Sequence, residues 1–271
     1  MMLSRTALPL VFFAAIWSTA RAADWYTGAP TPEASAPPPP ATPQPTVSID
    51  LSVDGTSRSS IAGAAIGKIA PFGSLAESGP RIRVSTVIGK YAYDASDLPV
   101  YVPVGAAFIP SNTGYGRVHG TLEDGSFMVG YEVVTNQGGV ALYVGPDVMN
   151  HSLSPFDPGN QVRGVSAGAK VGVEAFARPT DSTMIALIAY YSTVHNSYYT
   201  RLKFGVELAD YVYVGPEALA LGDDYFSQWR AGAHLTGLKF GALQIGLSSG
   251  YLRDRVRGSG AYGILDTHIA F

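Results

Sequence analysis

The chain predicts an all-β fold, an antiparallel transmembrane β-barrel of about twelve strands, on three observations. From Val47 onward it is a succession of segments of roughly 8–14 residues in which apolar and polar positions alternate, divided by turn residues. Many of its tyrosines (Tyr91, Tyr93, Tyr190, Tyr191, Tyr198, Tyr199, Tyr211, Tyr213, Tyr251, Tyr262) lie near segment ends, where interfacial girdles would sit. The last residues, "LDTHIAF", form an alternating strand that finishes on the aromatic Phe271.

Ahead of the barrel, residues 1–22 carry an early Arg5, an apolar core from Ala7 to Trp17 and the small-x-small pair around Arg21, the layout of a secretory signal cleaved after Ala22. The apolar run is shorter than the ~20 residues that span a bilayer as a helix. Residues 23–46 hold an aromatic head, "ADWYTG", and the proline-rich "APTPEASAPPPPATPQPT", an extended segment of roughly 50 Å at ~3.1 Å per residue. It reads as a periplasmic spacer, with a tether or plug as the sharper alternative. The absence of cysteine suits an exported chain without disulfides. A formal net charge of −3 offers no general attraction for nucleic acid.

Residues 47–271 make the barrel. In "TRLKFGVELAD", Leu202, Phe204, Val206 and Leu208 oppose Arg201, Lys203, Gly205 and Glu207; "AKVGVEAFAR" and "FGALQIGLSSGY" repeat the pattern. A soluble sandwich would bury the oily face, but these strands reach the ~9–11 residues of a tilted membrane strand. Tight turns are expected at 237–241, 208–210, 178–182 and 136–139, on the periplasmic side with Phe271. External loops are expected at 252–259, 218–226, 192–198, 147–160 and 94–121. A return at 71–79 and a first outer hairpin at 54–60 bring the count to about twelve, with ten as the alternative.

One string occurs twice, "LYVGPDVMN" at 142–150 and "VYVGPEALA" at 212–220. The strand walk treats it as duplicated architecture. It puts Tyr143 and Tyr213 near the outer interface, Pro146 and Pro216 at the end of the ladder, and Asp147 and Glu217 in solvent. Each copy leads through a loop into a further strand, "VRGVSAGAKVGVEA" and "QWRAGAHLTGLKFGA". With "RIRVSTVIGKYAYD", "FMVGYEVV" and "GSGAYGILDTHIAF", these stretches resemble the cellulose biosynthesis protein BcsS family from about Val47 to Phe271. The resemblance implies an outer-membrane protein that supports bacterial cellulose production or export, with no set of catalytic residues to carry over. The terminal strand resembles that of outer-membrane barrels and implies handling by the barrel-assembly machinery through Phe271.

The chemistry on offer is binding chemistry. Alternation points Arg81, Arg83, Lys170, Glu174, Arg201, Lys203, Glu207 and Arg230 into the lumen, where a basic excess would suit anionic solutes or, in a closed barrel, pair across it. Tyr101, Tyr115, Phe156, Tyr198, Tyr199 and Tyr225 in the outer loops are the candidates for contact with glucan. His195 and Ser197 have the spacing of a lipid-modifying barrel enzyme, but Glu207 lies ten residues beyond Ser197, roughly 33 Å along a strand, too far to orient the imidazole. His234 and His268 are expected in the lumen. No His, Asp or Glu spacing suggests a metal, and no motif calls for a cofactor. The expected partners are outer-membrane lipid, the assembly machinery and cellulose or periplasmic components of its secretion. A small-solute porin or structural surface barrel is the alternative.

Overall fold

The computed structural model describes residues 44–104 and 107–271. The expected signal, residues 1–22, and all but 44–46 of the proline-rich segment lie outside the described residues. Twelve antiparallel strands close into one barrel, each paired with its neighbours in sequence and the last with the first. They are β1 (Val47–Thr56), β2 (Ser60–Ile69), β3 (Gly79–Val104), β4 (Ala107–Thr135), β5 (Gly138–Ser154), β6 (Gly164–Thr180), β7 (Thr183–Ser192), β8 (Tyr198–Ala209), β9 (Val212–Gly222), β10 (Ser227–Phe240), β11 (Leu243–Asp254) and β12 (Gly258–Ala270). Closure runs through register pairs such as Ile49 with Ile269 and Val53 with Leu265, and the Phe271 amide donates to the Val47 carbonyl at 2.9 Å. The chain ends of the barrel therefore share one rim, here the terminal rim, with the tight turns at 136–137, 181–182, 210–211 and 241–242.

Alternation sorts the side chains. Leu51, Val53, Val84, Ile88, Phe127, Val129, Leu142, Val144, Leu202, Phe204, Val206, Leu247 and Leu265 point outward and are exposed. So continuous an apolar surface is far larger than soluble monomers display, and a closed barrel is one of the two structures that satisfies its backbone inside a bilayer. The tyrosines depart from the expected girdle. Tyr131, Tyr191 and Tyr251 do face outward, but Tyr93, Tyr143, Tyr213 and Tyr262 are buried inside. Inward rings have room because glycines face them across the ladder. Gly172 stands opposite Tyr190, where an added Cβ would come within 2.2 Å of the ring, and Gly120 stands opposite Tyr91 in the same way.

A second correction concerns residues 94–121. They are not a loop. β3 and β4 continue pairing to Val104 and Ala107, past the point where β2 (Ser60 opposite Tyr91) and β5 (Ser154 opposite His119) stop. A two-stranded ribbon thus projects from the loop rim. Pro99, Pro103 and Pro110 lie within it, and prolines on unpaired edges limit pairing with other chains.

The doubled string is also placed differently from the expectation. Both copies lie toward the terminal rim and inside the strands, with Pro146 opposite Ala169 and Pro216 opposite Ala233. Pairing to the preceding strand lapses there for two residues and resumes in the same register: Ser126 with Asp147 then Val129 with Val144, and Lys203 with Glu217 then Val206 with Val214. The proline, which has no N–H, occupies the lapse. The glycine before it approaches the neighbouring backbone so closely that a Cβ on Gly145 would meet the Phe127 carbonyl oxygen at 1.9 Å, and one on Gly215 the Phe204 oxygen at 2.0 Å. Tyr143, Asp147, Tyr213 and Glu217 all turn inward and are buried.

Candidate functional site: a filled lumen beneath a tyrosine-lined cavity

Ion pairs that reach across several strands fill the lower and middle lumen. On one side, Glu174 of β6 receives Lys68 of β2 at 2.8 Å and Arg83 of β3 at 3.2 Å, and the Tyr190 hydroxyl donates to it as well. Arg81 meets Glu132 at 2.6 Å beside them. On the other side, Arg201 of β8 bridges Glu217 of β9 at 2.7 Å and Asp266 of β12 at 2.9 Å, while Lys203 reaches Asp266 at 3.4 Å. Tyr262 donates to Glu217 at 3.0 Å. Lys170 joins Asp124 and Asp147 higher up, at 3.0 and 2.7 Å.

These groups are dry as well as paired. The side chains of Asp147, Glu217 and Asp266 have 0 % exposure, so no wide water column passes them. Toward the terminal rim, Phe176, Met184, Ala186 and Tyr213 pack together as an apolar layer. His234, bonded to the Phe204 carbonyl at 3.0 Å, is buried nearby, and His268 is paired with Asp50 at 2.5 Å. The expected basic excess is absent from this interior, because the acids Asp124, Glu132, Asp147, Glu217 and Asp266 share the inward face and meet the cations.

Toward the loop rim the packing opens into a cavity of about 250 Å³. Its walls carry the rings of Tyr91, Tyr190, Tyr199, Tyr225 and Phe226, with Tyr198 at its margin. Between the rings stand His151, Asn160, Gln228 and Ser60, and two charged pairs, Lys170 with Asp124 and Arg230 with Asp54 at 2.7 Å. The loops form a roof. Tyr93 donates to Asp157 at 2.7 Å and accepts from Asn160 at 3.0 Å, its ring lies 5.2 Å from that of Tyr225, and Leu98 and Val118 pack beside Tyr225 and Val256. Burial raises the Asp223 carboxyl above its usual range, opposed by the amides of Phe226 and Tyr225, which donate to it at 2.9 and 2.7 Å. Burial likewise raises the Tyr225 hydroxyl.

Against the sequence reading, Arg81, Arg83, Glu174, Arg201, Lys203 and Arg230 are buried inward, and Lys170 is half-buried. Glu207 sits at the terminal-rim turn, where it accepts from the Tyr211 amide at 2.8 Å. Of the proposed glucan contacts, Tyr198, Tyr199 and Tyr225 line the cavity. Phe156 lies in the 155–163 loop, exposed, with the Arg163 guanidinium 4.6 Å from its ring centre. The strand positions of Tyr101 and Tyr115 fall on the projecting ribbon; their side chains lie outside the description. Phe271 is exposed at the terminal rim, and its carbonyl accepts from Thr46 at 2.6 Å.

Tyr91, Tyr93, Tyr190, His151 and Asn160 were not singled out from sequence as contacts. For Tyr91, Tyr93 and His151 the signal was there, since each shares alternation parity with a lumen charge or glycine of its own strand; β7 has neither charge nor glycine to place Tyr190. The His195 ring makes no hydrogen bond among the described residues, and its buried Nε2 has no partner; its nearest ring neighbour is His151, at 6.2 Å. No activated Ser197 results. Among the described residues no group of three His, Asp or Glu is placed to hold a metal.

An apolar exterior, full strand closure and a polar, side-chain-filled interior define an outer-membrane-type β-barrel with twelve strands. The chain belongs to the cellulose biosynthesis protein BcsS family, which it matches over residues 51–271. Among solved structures it is similar to a KdgM porin (TM-score 0.40, 9% identity, 83% of this chain and 99% of that one). It is also similar to CdiB from Acinetobacter baumannii (TM-score 0.31, 10% identity, 83% and 60%) and to a bacterial polysaccharide outer membrane secretin (TM-score 0.29, 8% identity, 84% and 99%). No curated protein sequence matches it.

Proposed function

We propose that this barrel is a non-catalytic, glucan-binding element of cellulose production, seated in the bacterial outer membrane with its cavity toward the cell exterior. The observation that carries the reading is the cavity above the filled lumen. Tyrosine faces suit the C–H faces of neutral sugar rings, and Asn160, Gln228, His151 and the phenol groups can exchange hydrogen bonds with sugar hydroxyls. Three of its cations already hold carboxylates, Lys170 with Asp124, Arg230 with Asp54 and Arg257 with Asp254, which disfavours selection of an anionic solute. Ion pairs across the lumen favour holding a chain over conducting one.

In this reading the apolar belt meets outer-membrane lipid, Phe271 serves recognition by the assembly machinery, and the terminal rim faces the periplasm, where components of cellulose secretion are the natural partners. A deletion strain complemented with the wild-type chain should regain surface cellulose. Complementation with Tyr199→Ala plus Tyr225→Ala should leave it deficient although the barrel reaches the membrane in equal amount. Normal cellulose in the uncomplemented strain would sink the proposal.

A further inference from the structure

Outside the lumen, on the lipid-facing wall, one place combines aromatic rings with cations. Trp229 of β10 and Tyr251 of β11 both point outward, about half exposed, with ring centres 5.6 Å apart. One step toward the loop rim, Arg253 lies opposite Trp229 on one side and Ser259 of β12 on the other. Arg58, in the β1–β2 turn, donates its Nε to the Ser259 carbonyl, and the Tyr251 hydroxyl donates to Ser259 Oγ at 2.6 Å. Ser259 thus ties the two arginines and the aromatic pair into one patch. Arg255 stands just above, held by the Tyr225 carbonyl.

Both Arg58 and Arg253 are exposed; among the described residues neither meets a carboxylate, and Arg253 has no hydrogen-bond partner. The acids of these strands face inward: Asp54 is taken by Arg230, and Asp254 by Arg257 and Gln228. Below the patch, the same outward face continues through Leu247, Leu265 and Val53.

Aromatic rings at the edge of an apolar belt prefer the headgroup level of a bilayer, and long basic side chains above them reach toward lipid phosphates. We propose that Arg58 and Arg253, above Trp229 and Tyr251, form a binding site for the phosphate of a lipid headgroup. Lipid is favoured over a soluble anion because the arginines stand on the wall that continues into the lipid-facing belt, not over the cavity.

The test is native mass spectrometry and thermal unfolding of the full chain in detergent with added diphosphoryl lipid A. The wild type should retain the lipid and unfold at higher temperature with it. Arg58→Gln plus Arg253→Gln should weaken retention by roughly 25-fold, taking about fivefold per arginine near a membrane surface. Arg253→Lys should lose only a small part of that, and Lys239→Gln at the opposite rim none. Equal retention of dephosphorylated lipid A, equal stabilisation by inorganic phosphate alone, or an unchanged double variant would each overturn the proposal.

Discussion

The two halves of the barrel interior are built from the same residue types and do opposite things with them. Below, Glu174 and Asp266 each collect two cations, Glu217 collects Arg201 with two hydroxyls, and little space is left; above, Tyr91, Tyr190, Tyr199 and Tyr225 surround a cavity. The difference lies in where the tyrosine hydroxyls go. Tyr262 spends its hydroxyl on Glu217 and Tyr190 reaches from the cavity wall down to Glu174, whereas Tyr91 bonds His151 at 3.0 Å and Tyr93 bonds the loop residues Asp157 and Asn160. Charge packing closes the barrel, and the loop-bonded rings keep a space under a roof. The contrast can be broken from either side.

The largest effect belongs to the filled half. Glu174→Ala removes the carboxylate that Lys68 and Arg83 share, in a site with 6% carboxylate exposure. Removing one partner of a buried pair costs roughly 3–5 kcal/mol, to be read as an earlier denaturant midpoint in detergent. The same variant should raise ion conductance in planar bilayers above that of the wild type. An unchanged midpoint would mean that water already screens these charges.

Next is the architecture beneath the doubled string. Gly145→Ala drives a methyl group into the Phe127 carbonyl and should destabilise by roughly 1–3 kcal/mol. Gly125→Ala, where a Cβ meets nothing within 4 Å, should leave folding yield unchanged. Equal yields would show that the close approach does not constrain the fold.

In the roof, Tyr93→Phe removes one hydroxyl from Asp157 and Asn160, a loss of about 1 kcal/mol confined to the 155–163 loop. Faster proteolytic cleavage of that loop, with an unchanged global midpoint, is the expected result.

The smallest effect is that of pH. The folded Asp223 holds its proton above the ordinary value of 3.8, so its contribution favours the closed roof at low pH and declines as pH rises from 3.8 through the raised value. Asp223→Asn keeps an oxygen for the Phe226 and Tyr225 amides and should flatten that decline. Hydrogen exchange of residues 223–226 across the acid range would read it.

Most of the architecture was legible in the sequence. Period-two alternation fixed which way Arg201, Lys203, Gly205 and Phe204 point, and turn residues marked the hairpins closely enough to count the strands. Residues 94–121 were expected as an external loop, but a ribbon edge that pairs on one side tolerates their prolines and glycines. The tyrosines were misplaced because the amphipathic ring suits two environments, a membrane interface and a polar lumen. Parity distinguishes them, since Tyr143 alternates with Gly145 and Asp147. Pairing was beyond the sequence: Arg201 with Asp266 spans four strands, and nothing local links them. The cavity itself depends on loops at 155–163, 223–226 and 255–257 converging, which no periodicity encodes.

The most direct measurement is calorimetric titration of the purified barrel with a cello-oligosaccharide of six units, against Tyr199→Ala and Tyr225→Ala. The cavity should give saturable binding that each variant weakens by roughly three- to tenfold, the effect of losing one aromatic contact, at a temperature where the variant remains folded. Absence of binding by the wild type, or binding that neither substitution alters, would contradict the assignment of the cavity to glucan.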